Sequence, residues 1–245
     1  MSRNYELLTH IEYEQGGSDN DRPGAAVSHP IVKTVAAGEA VTASSREMLR
    51  LVQSVFLSRN GSAPRQVVFC GVNGESGSSF VCASAGRTLA SSSSRSVCLV
   101  DANLRSPRLS GLLGVDAKLP VFGKSASVRD RCIQIDNNLW LAGPALLADD
   151  CGALPSIGTL KQLLTDLCSA FEYVLIDAPG TNVSGDAATL GQVADATVLI
   201  IEADDTRRLS ARRAKETLDA AGARLVGAVL NNRSFPIPEE LYRAL

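Results

Sequence analysis

Histidine is scarce in this chain. Its two copies, His10 and His29, lie near the start without the spacing of a metal-ligand pair, so a histidine-held metal is not expected. None of the six cysteines, Cys70, Cys82, Cys98, Cys132, Cys151 and Cys168, forms a CxxC pair. Several sit inside apolar runs, and buried reduced thiols are the expectation. A strong charge of either sign is also lacking. The formal net charge is -2, which points away from a nucleic-acid surface or a polybasic membrane patch. The longest apolar runs are strand-sized, so no transmembrane helix is expected. The opening residues, Met1-Ser2-Arg3-Asn4-Tyr5-Glu6, lack the apolar core of a secretory signal. The expected location is therefore cytoplasmic.

What remains suits one large α/β domain: 245 residues, 45% of them hydrophobic, enough to bury a sizeable core. Residues 3–14 read as a short helix with Leu7, Leu8 and Ile11 on one side, and 15–40 as a flexible linker rich in Gly, Ser, Asp and Pro. Residues 1–40 thus precede a compact domain over 41–245. Ser44 and Glu47 have capping-box spacing, followed by Met48, Val52, Val55 and Phe56 at helical spacing to an end near residues 59–61. Strands are expected at 66–71, 96–101, 139–142, 173–178, 196–202 and 225–230. They are continuous in Val, Ile and Leu, as strands buried on both faces are. Helices are expected between them at 79–90, 157–170, 186–193 and 207–222, the last burying Ala211, Ala214, Leu218 and Ala221. This alternation predicts a mostly parallel sheet flanked by helices on both faces, with ligands at the carboxyl ends of the strands.

Three segments at those ends have residues suited to phosphate and Mg²⁺. The first, Gly71-Val72-Asn73-Gly74-Glu75-Ser76-Gly77-Ser78-Ser79-Phe80, joins a strand to a helix in the layout of a phosphate-binding loop. Its glycines allow backbone N–H groups to form an anion nest, and Ser79 offers a hydroxyl to Mg²⁺. Where the loop ordinarily carries lysine, this chain has Ser78. The second segment is Val97–Arg105, with Asp101 at the strand tip. The third is Tyr173–Gly180, with Asp177 in the same position. Such carboxylates hold Mg²⁺ directly or through water, or accept a proton from an attacking hydroxyl. Taken alone, an Asp ending a strand is more often a helix cap or turn former. All three segments in this order are far more specific.

From about Ser44 onward the chain resembles the cytoplasmic domain of bacterial tyrosine kinases, the capsule and exopolysaccharide autokinases within the ParA/MinD-like P-loop ATPases. Glu47, Arg50 and Gln53 match that family's E-x-x-R-x-x-R helix, with Gln53 in place of the second Arg. Residues 74–80 match its Walker A loop, and Leu99–Pro107 match D-A-D-L-R-x-P with Asn103 in place of the second Asp. Residues 171–179, continued by Asp186 and Ala187, match Walker B, and Gly222–Asn231 match the closing strand. The resemblance implies a P-loop fold, ATP or ADP with Mg²⁺ at Gly74, Glu75, Ser76, Gly77, Ser78, Ser79 and Phe80, and a metal held by Ser79, Asp101 and Asp177. It also implies a ring built on the Glu47 helix, whether of identical chains or with a paralogous kinase. A separate membrane polysaccharide co-polymerase, or chain-length protein, would recruit the chain to the inner face of the membrane.

The departures all weaken catalysis. Ser78 removes the phosphate lysine, Asn103 removes an acid, and Gln53 alters the ring helix. The tail after residue 234 holds one tyrosine, Tyr242, where the family has a phosphoacceptor cluster. A hydrogen bond to a charged group contributes about 1.5–3 kcal/mol, so losing the lysine weakens ATP about ten- to a hundredfold. Arg105 and Lys124 are candidate replacements. The leading expectation is a catalytically impaired regulator or scaffold of capsule or exopolysaccharide synthesis with weak or absent ATP binding. The alternative is an active autokinase with an atypical loop, in which Asp101 and Asp177 are catalytic. A nucleotide switch of the partitioning or division-positioning type is less favoured, because the chain lacks that group's additional early lysine.

Overall fold

The computed structural model describes residues 5–8, 40–57, 63–115 and 127–232. Eight strands form one sheet in the order β1-β8-β7-β2-β6-β3-β5-β4. The strands are β1 (Tyr5–Leu8), β2 (Gln66–Gly71), β3 (Val97–Asp101), β4 (Ile133–Asp136), β5 (Leu139–Ala142), β6 (Tyr173–Ala178), β7 (Ala196–Glu202) and β8 (Leu225–Asn231). Pairing from β8 through β5 is parallel. The edge strands β1 and β4 run antiparallel to β8 and β5. The mostly parallel α/β sheet expected from the sequence is thus present.

Helices lie on both faces because the strand side chains alternate between two apolar clusters. Val67, Phe69, Val97, Leu99, Tyr173, Leu175, Val198 and Ile200 face α1 (Ala40–Phe56), α2 (Ser78–Ser92) and α3 (Leu109–Leu113). Their neighbours Val68, Cys70, Cys98, Val100, Val174, Ile176 and Leu199 face α4 (Ile157–Ala170), α5 (Asp186–Val193) and α6 (Arg208–Ala220). Both faces being apolar explains why these strands read as continuous hydrophobic runs. Ser156 caps α4 by accepting the Thr159 N–H at 3.3 Å. The Arg65 guanidinium closes the other end by donating to the Cys168 and Phe171 carbonyls at 2.6 and 3.0 Å. Ala211, Ala214 and Leu218 are buried as the α6 pattern predicted, while Ala221 lies just past the helix and is half-buried.

Several expectations are corrected. Within the helix expected over 3–14, Tyr5–Leu8 form an edge strand paired with β8. Four residues do not distinguish one turn of helix from a short strand, and the open edge of β8 decides. Helix α1 begins at Ala40, so Ser44 lies inside it rather than at its cap. The helix ends at Phe56, before the expected 59–61. Not all the thiols are buried: Cys151 is exposed and Cys168 half-buried. The short helix α3 and the strand β4 were not expected, and only β5 of their hairpin was, since β4 alternates half-buried with exposed residues and lacks an apolar run.

Leu175 is fully buried in the inner strand β6. Leu175→Ala is expected to cost about 2–5 kcal/mol through lost burial and the cavity left behind. Urea unfolding monitored by circular dichroism checks this, as a lower midpoint at unchanged slope.

Candidate functional site

The carboxyl ends of β2, β6 and β3 lie side by side, so the three segments singled out in the sequence converge. Asp101 and Asp177 are direct partners across the parallel β3–β6 pair, and Phe69 of β2 is the partner of Asp177 on the other side. Asp101 is 1% exposed and Asp177 0%. One Asp101 oxygen, Oδ2, accepts the Leu109 N–H at 3.0 Å. Its Oδ1 and both oxygens of Asp177 have no hydrogen-bond partner.

Burial without compensation raises both acids. Asp177 is pushed up to about 8, chiefly by burial and secondarily by the charge of Asp101. The Ser79 and Ser78 hydroxyls and the Arg108 guanidinium act in the opposite sense. The two hydroxyls lie near Asp177 without reaching hydrogen-bonding geometry. Asp101 is raised to about 6 by burial, opposed by the backbone N–H groups of Leu109, Asn103 and Arg108.

Gly71 through Phe80 wrap over the end of β2 and into α2. Ser78 is the first residue of α2, and Gly77, at φ 80°, precedes it in the left-handed conformation. A side chain is barred there on two counts. Besides the positive φ, a Cβ would lie 2.2 Å from Asn231 Nδ2. That Asn231 amide donates to the Ser76 carbonyl at 2.9 Å and ties the loop to the end of β8. Ser76 is itself buried and acts within the loop: its Oγ donates to the Asn73 carbonyl and accepts the Asn73 N–H, both at 3.0 Å. From the β6 side, Thr181 N–H donates to the Gly71 carbonyl at 2.9 Å and Asn182 N–H to the Val72 carbonyl at 3.2 Å. Gly180 must be glycine, because a Cβ would meet the Asn73 backbone at 2.6 Å. The loop is therefore held at fixed shape by its neighbours, whatever stands at position 78.

The expected site residues divide as follows. Ser79, Asp101 and Asp177 come together and are buried; Ser78 and Gly77 are half-buried beside them; Gly74 and Glu75 are exposed on the outer turn; Phe80 packs partly against the core. Asn103 does not face the metal position. Its Oδ1 accepts the Ser106 N–H at 3.3 Å and closes a turn. In α1, Glu47 is buried whereas Arg50 and Gln53 are exposed, so the three do not share one outward face. Tyr242, Lys124, His10 and His29 lie outside the described residues. Asn231, Gly180 and Asn182 were not singled out from the sequence. Their signal is spatial: Asn231 ends β8 while Gly180 and Asn182 follow β6, and they meet the loop only once the sheet forms.

A divalent cation fits the orphaned carboxylate oxygens. They are hard donors, close to a serine hydroxyl and a nest for phosphate, and Mg²⁺ takes one or two carboxylates plus phosphate oxygens. Asp101, Asp177 and Ser79 would hold it. No group of three or more His, Cys, Asp or Glu side chains able to bind a metal exists among the described residues, so an all-protein cage is not the pattern.

No family profile matches the chain. Individual proteins do. Over 151 residues it is 30% identical to the tyrosine-protein kinase YwqD of Bacillus subtilis, a match covering 58% of this chain and 61% of that one. Other bacterial tyrosine-protein kinases, among them CpsD of Streptococcus pneumoniae, are also similar to this chain. The fold agrees: the kinase domain of the Escherichia coli tyrosine kinase ETK superposes with a TM-score of 0.63 at 18% identity, over 76% of this chain and 74% of that one. The MinD cell division protein of Aquifex aeolicus has a TM-score of 0.53 at 17% identity, over 65% of each chain. At those identities the superpositions establish a shared P-loop ATPase-like fold, and the kinase kinship rests on sequence. The chain spans about three-fifths of the length of YwqD. No helix among the described residues is long and apolar enough to cross a membrane.

The raised carboxylates set a pH dependence for the ligand-free protein. Folded pKa values of about 8 and about 6 exceed the unfolded value of about 3.9. The folded state therefore holds more protons, and stability falls as pH rises through these values. Thermal unfolding without Mg²⁺ is expected to show a midpoint that drops between about pH 5 and about pH 9. Asp177→Asn should flatten the drop and raise the midpoint at the alkaline end. An unchanged slope in that variant would show that Asp177 is not the source.

Proposed function

We propose that this chain is a tyrosine-kinase-like nucleotide-binding protein with impaired phosphoryl transfer, acting as a regulator or scaffold in capsule or exopolysaccharide assembly. The observation that carries this reading is the pairing of an intact metal position with a missing cation. Asp101 and Asp177 keep three unpartnered buried oxygens beside Ser79, while the first residue of α2 is Ser78. Bound Mg²⁺ would neutralise phosphate charge at those carboxylates, and the backbone N–H groups of 74–79 would hold ATP or ADP in place. Both serve the ground state.

Transfer needs more. Charge spreading over the moving phosphoryl is met by fixed cations and donors, and that stabilisation is most of what such enzymes supply. Removing one such donor costs about 10²–10³ in rate. A serine hydroxyl at position 78 offers a dipole on a short stem and does not reach as lysine does. The sequence kinship to named tyrosine-protein kinases supports the assignment of class. The resemblance also suggests a membrane polysaccharide co-polymerase on a separate chain as partner, at whose inner membrane face the protein would work.

An active autokinase is the second reading, and the intact carboxylate pair favours it. Calorimetric titration with Mg-ATP separates the two when joined to a phosphotyrosine assay that covers Tyr242. Weak binding, reduced by Asp101→Ala and without phosphotyrosine, is the expected result. Ser78→Lys should tighten ATP about ten- to a hundredfold. Phosphotyrosine formed by the unaltered chain would overturn the impaired reading in favour of the kinase.

A further inference from the structure

Serine at position 78 leaves the site short of positive charge, and one side chain stands where it can make good the loss. After β3 the chain turns back on itself. Ala102 N–H donates to the Asp177 carbonyl at 2.9 Å. The turn closes through Ser106 N–H, which reaches the Asn103 carbonyl at 3.2 Å and the Asn103 Oδ1 at 3.3 Å. Pro107 follows, and Leu109 N–H then docks on Asp101 Oδ2 at 3.0 Å. Residue 108 is therefore fixed beside the Asp101 carboxylate, whose strand partner is Asp177. That residue is Arg108.

We propose that Arg108 replaces the missing loop lysine, its guanidinium binding the terminal phosphate of a Mg-nucleoside triphosphate held between the loop at 74–79 and the Asp101–Asp177 pair. The inference rests on the nucleotide-binding part of the function proposed above and adds to it the residue that supplies the charge.

Three further observations support it. Arg108 is exposed, and no hydrogen bond or ion pair holds its guanidinium among the described residues. It takes no part in the ion pairs Arg95–Glu172, Arg212–Glu216 and Lys215–Asp219. A phosphate would thus gain this cation without first breaking a contact. The Leu109 N–H contact on Asp101 Oδ2 holds the backbone of Arg108 next to the carboxylate pair. Guanidinium also suits the task, with a planar fork of donors that matches phosphate oxygens in pairs and a charge that persists at all accessible pH.

The alternatives are weaker. Arg105 is exposed on the preceding turn, four residues before the backbone contact on Asp101. Lys124 lies outside the described residues. Asn103 closes the turn that delivers Arg108.

The test is calorimetric titration of the full chain with ATP and with ADP, each with Mg²⁺, for the unaltered protein, Arg108→Ala, Arg108→Lys, Arg105→Ala and Arg108→Ala combined with Ser78→Lys. Since Arg108 is exposed, its variants should keep the parent's circular dichroism and melting temperature. Arg108→Ala is expected to weaken ATP about tenfold while leaving ADP nearly unchanged. Arg108→Lys should recover part of the loss, and Ser78→Lys should recover it in the Arg108→Ala background. Unchanged ATP affinity in Arg108→Ala, an equal loss for ATP and ADP, or a loss confined to Arg105→Ala would each overturn the proposal. Failure of Ser78→Lys to rescue would overturn the equivalence of the two cations. An unaltered chain that binds neither nucleotide would overturn it too, while leaving a scaffold role intact; phosphotyrosine formation would overturn the impaired reading and leave Arg108 in place.

Discussion

Two carboxylates that together accept a single hydrogen bond govern this molecule. Asp101 and Asp177 stand as partners on adjacent parallel strands, out of water, with three oxygens unpaired. A core made only for stability would not retain them, since burying an unpaired acid costs free energy unless it is neutralised. Without a cation, burial favours the protonated form of Asp177 at neutral pH. The arrangement follows directly from topology. Parallel strands all present their carboxyl ends on one side, and β6 lies between β2 and β3 in the sheet, so two acids distant in sequence become neighbours opposite the phosphate loop.

Around that pair the chain is built to hold a loop shape. Asn231 from β8, Gly180 and Thr181 after β6, and Ser76 within the loop all fix the same few backbone atoms. This scaffold does not depend on position 78. A P-loop can therefore lose its lysine and keep its geometry, and here the contacts that set the geometry are intact while the charge is altered.

Much of this was legible in the amino-acid order. Each inner strand announced itself as an apolar run because helices cover both of its faces, and α4, α5 and β6 have the bounds that the pattern predicts. Asp101, Asp177 and the loop glycines were identifiable because a strand tip followed by Gly or a turn is a local signal. What escaped was non-local or weakly patterned. Tyr5–Leu8 form a strand only because β8 offers an open edge, and β4 has no continuous apolar run. Asn103 read as a lost metal acid, yet its amide oxygen serves a turn. There residue type was visible and side-chain direction was not.

Turn closure by Asn103 also changes what the missing lysine means. An aspartate there would accept the same Ser106 N–H but add a third negative charge near Asp101 and Asp177, raising further the acids that burial already raises. With Ser78 supplying no opposing charge, a third acid would leave the site harder to ionise and less able to hold Mg²⁺ at neutral pH. An uncharged residue at 103 lowers that demand. The two substitutions are thus electrostatically consistent: one removes a positive charge, the other a negative one, and the local balance around the carboxylate pair is kept. Arg108, on the same turn, then contributes at Asp177 in the sense that lysine would. A site whose charges are rebalanced in this way remains suited to holding a metal and its phosphates, whatever has become of its capacity to transfer them.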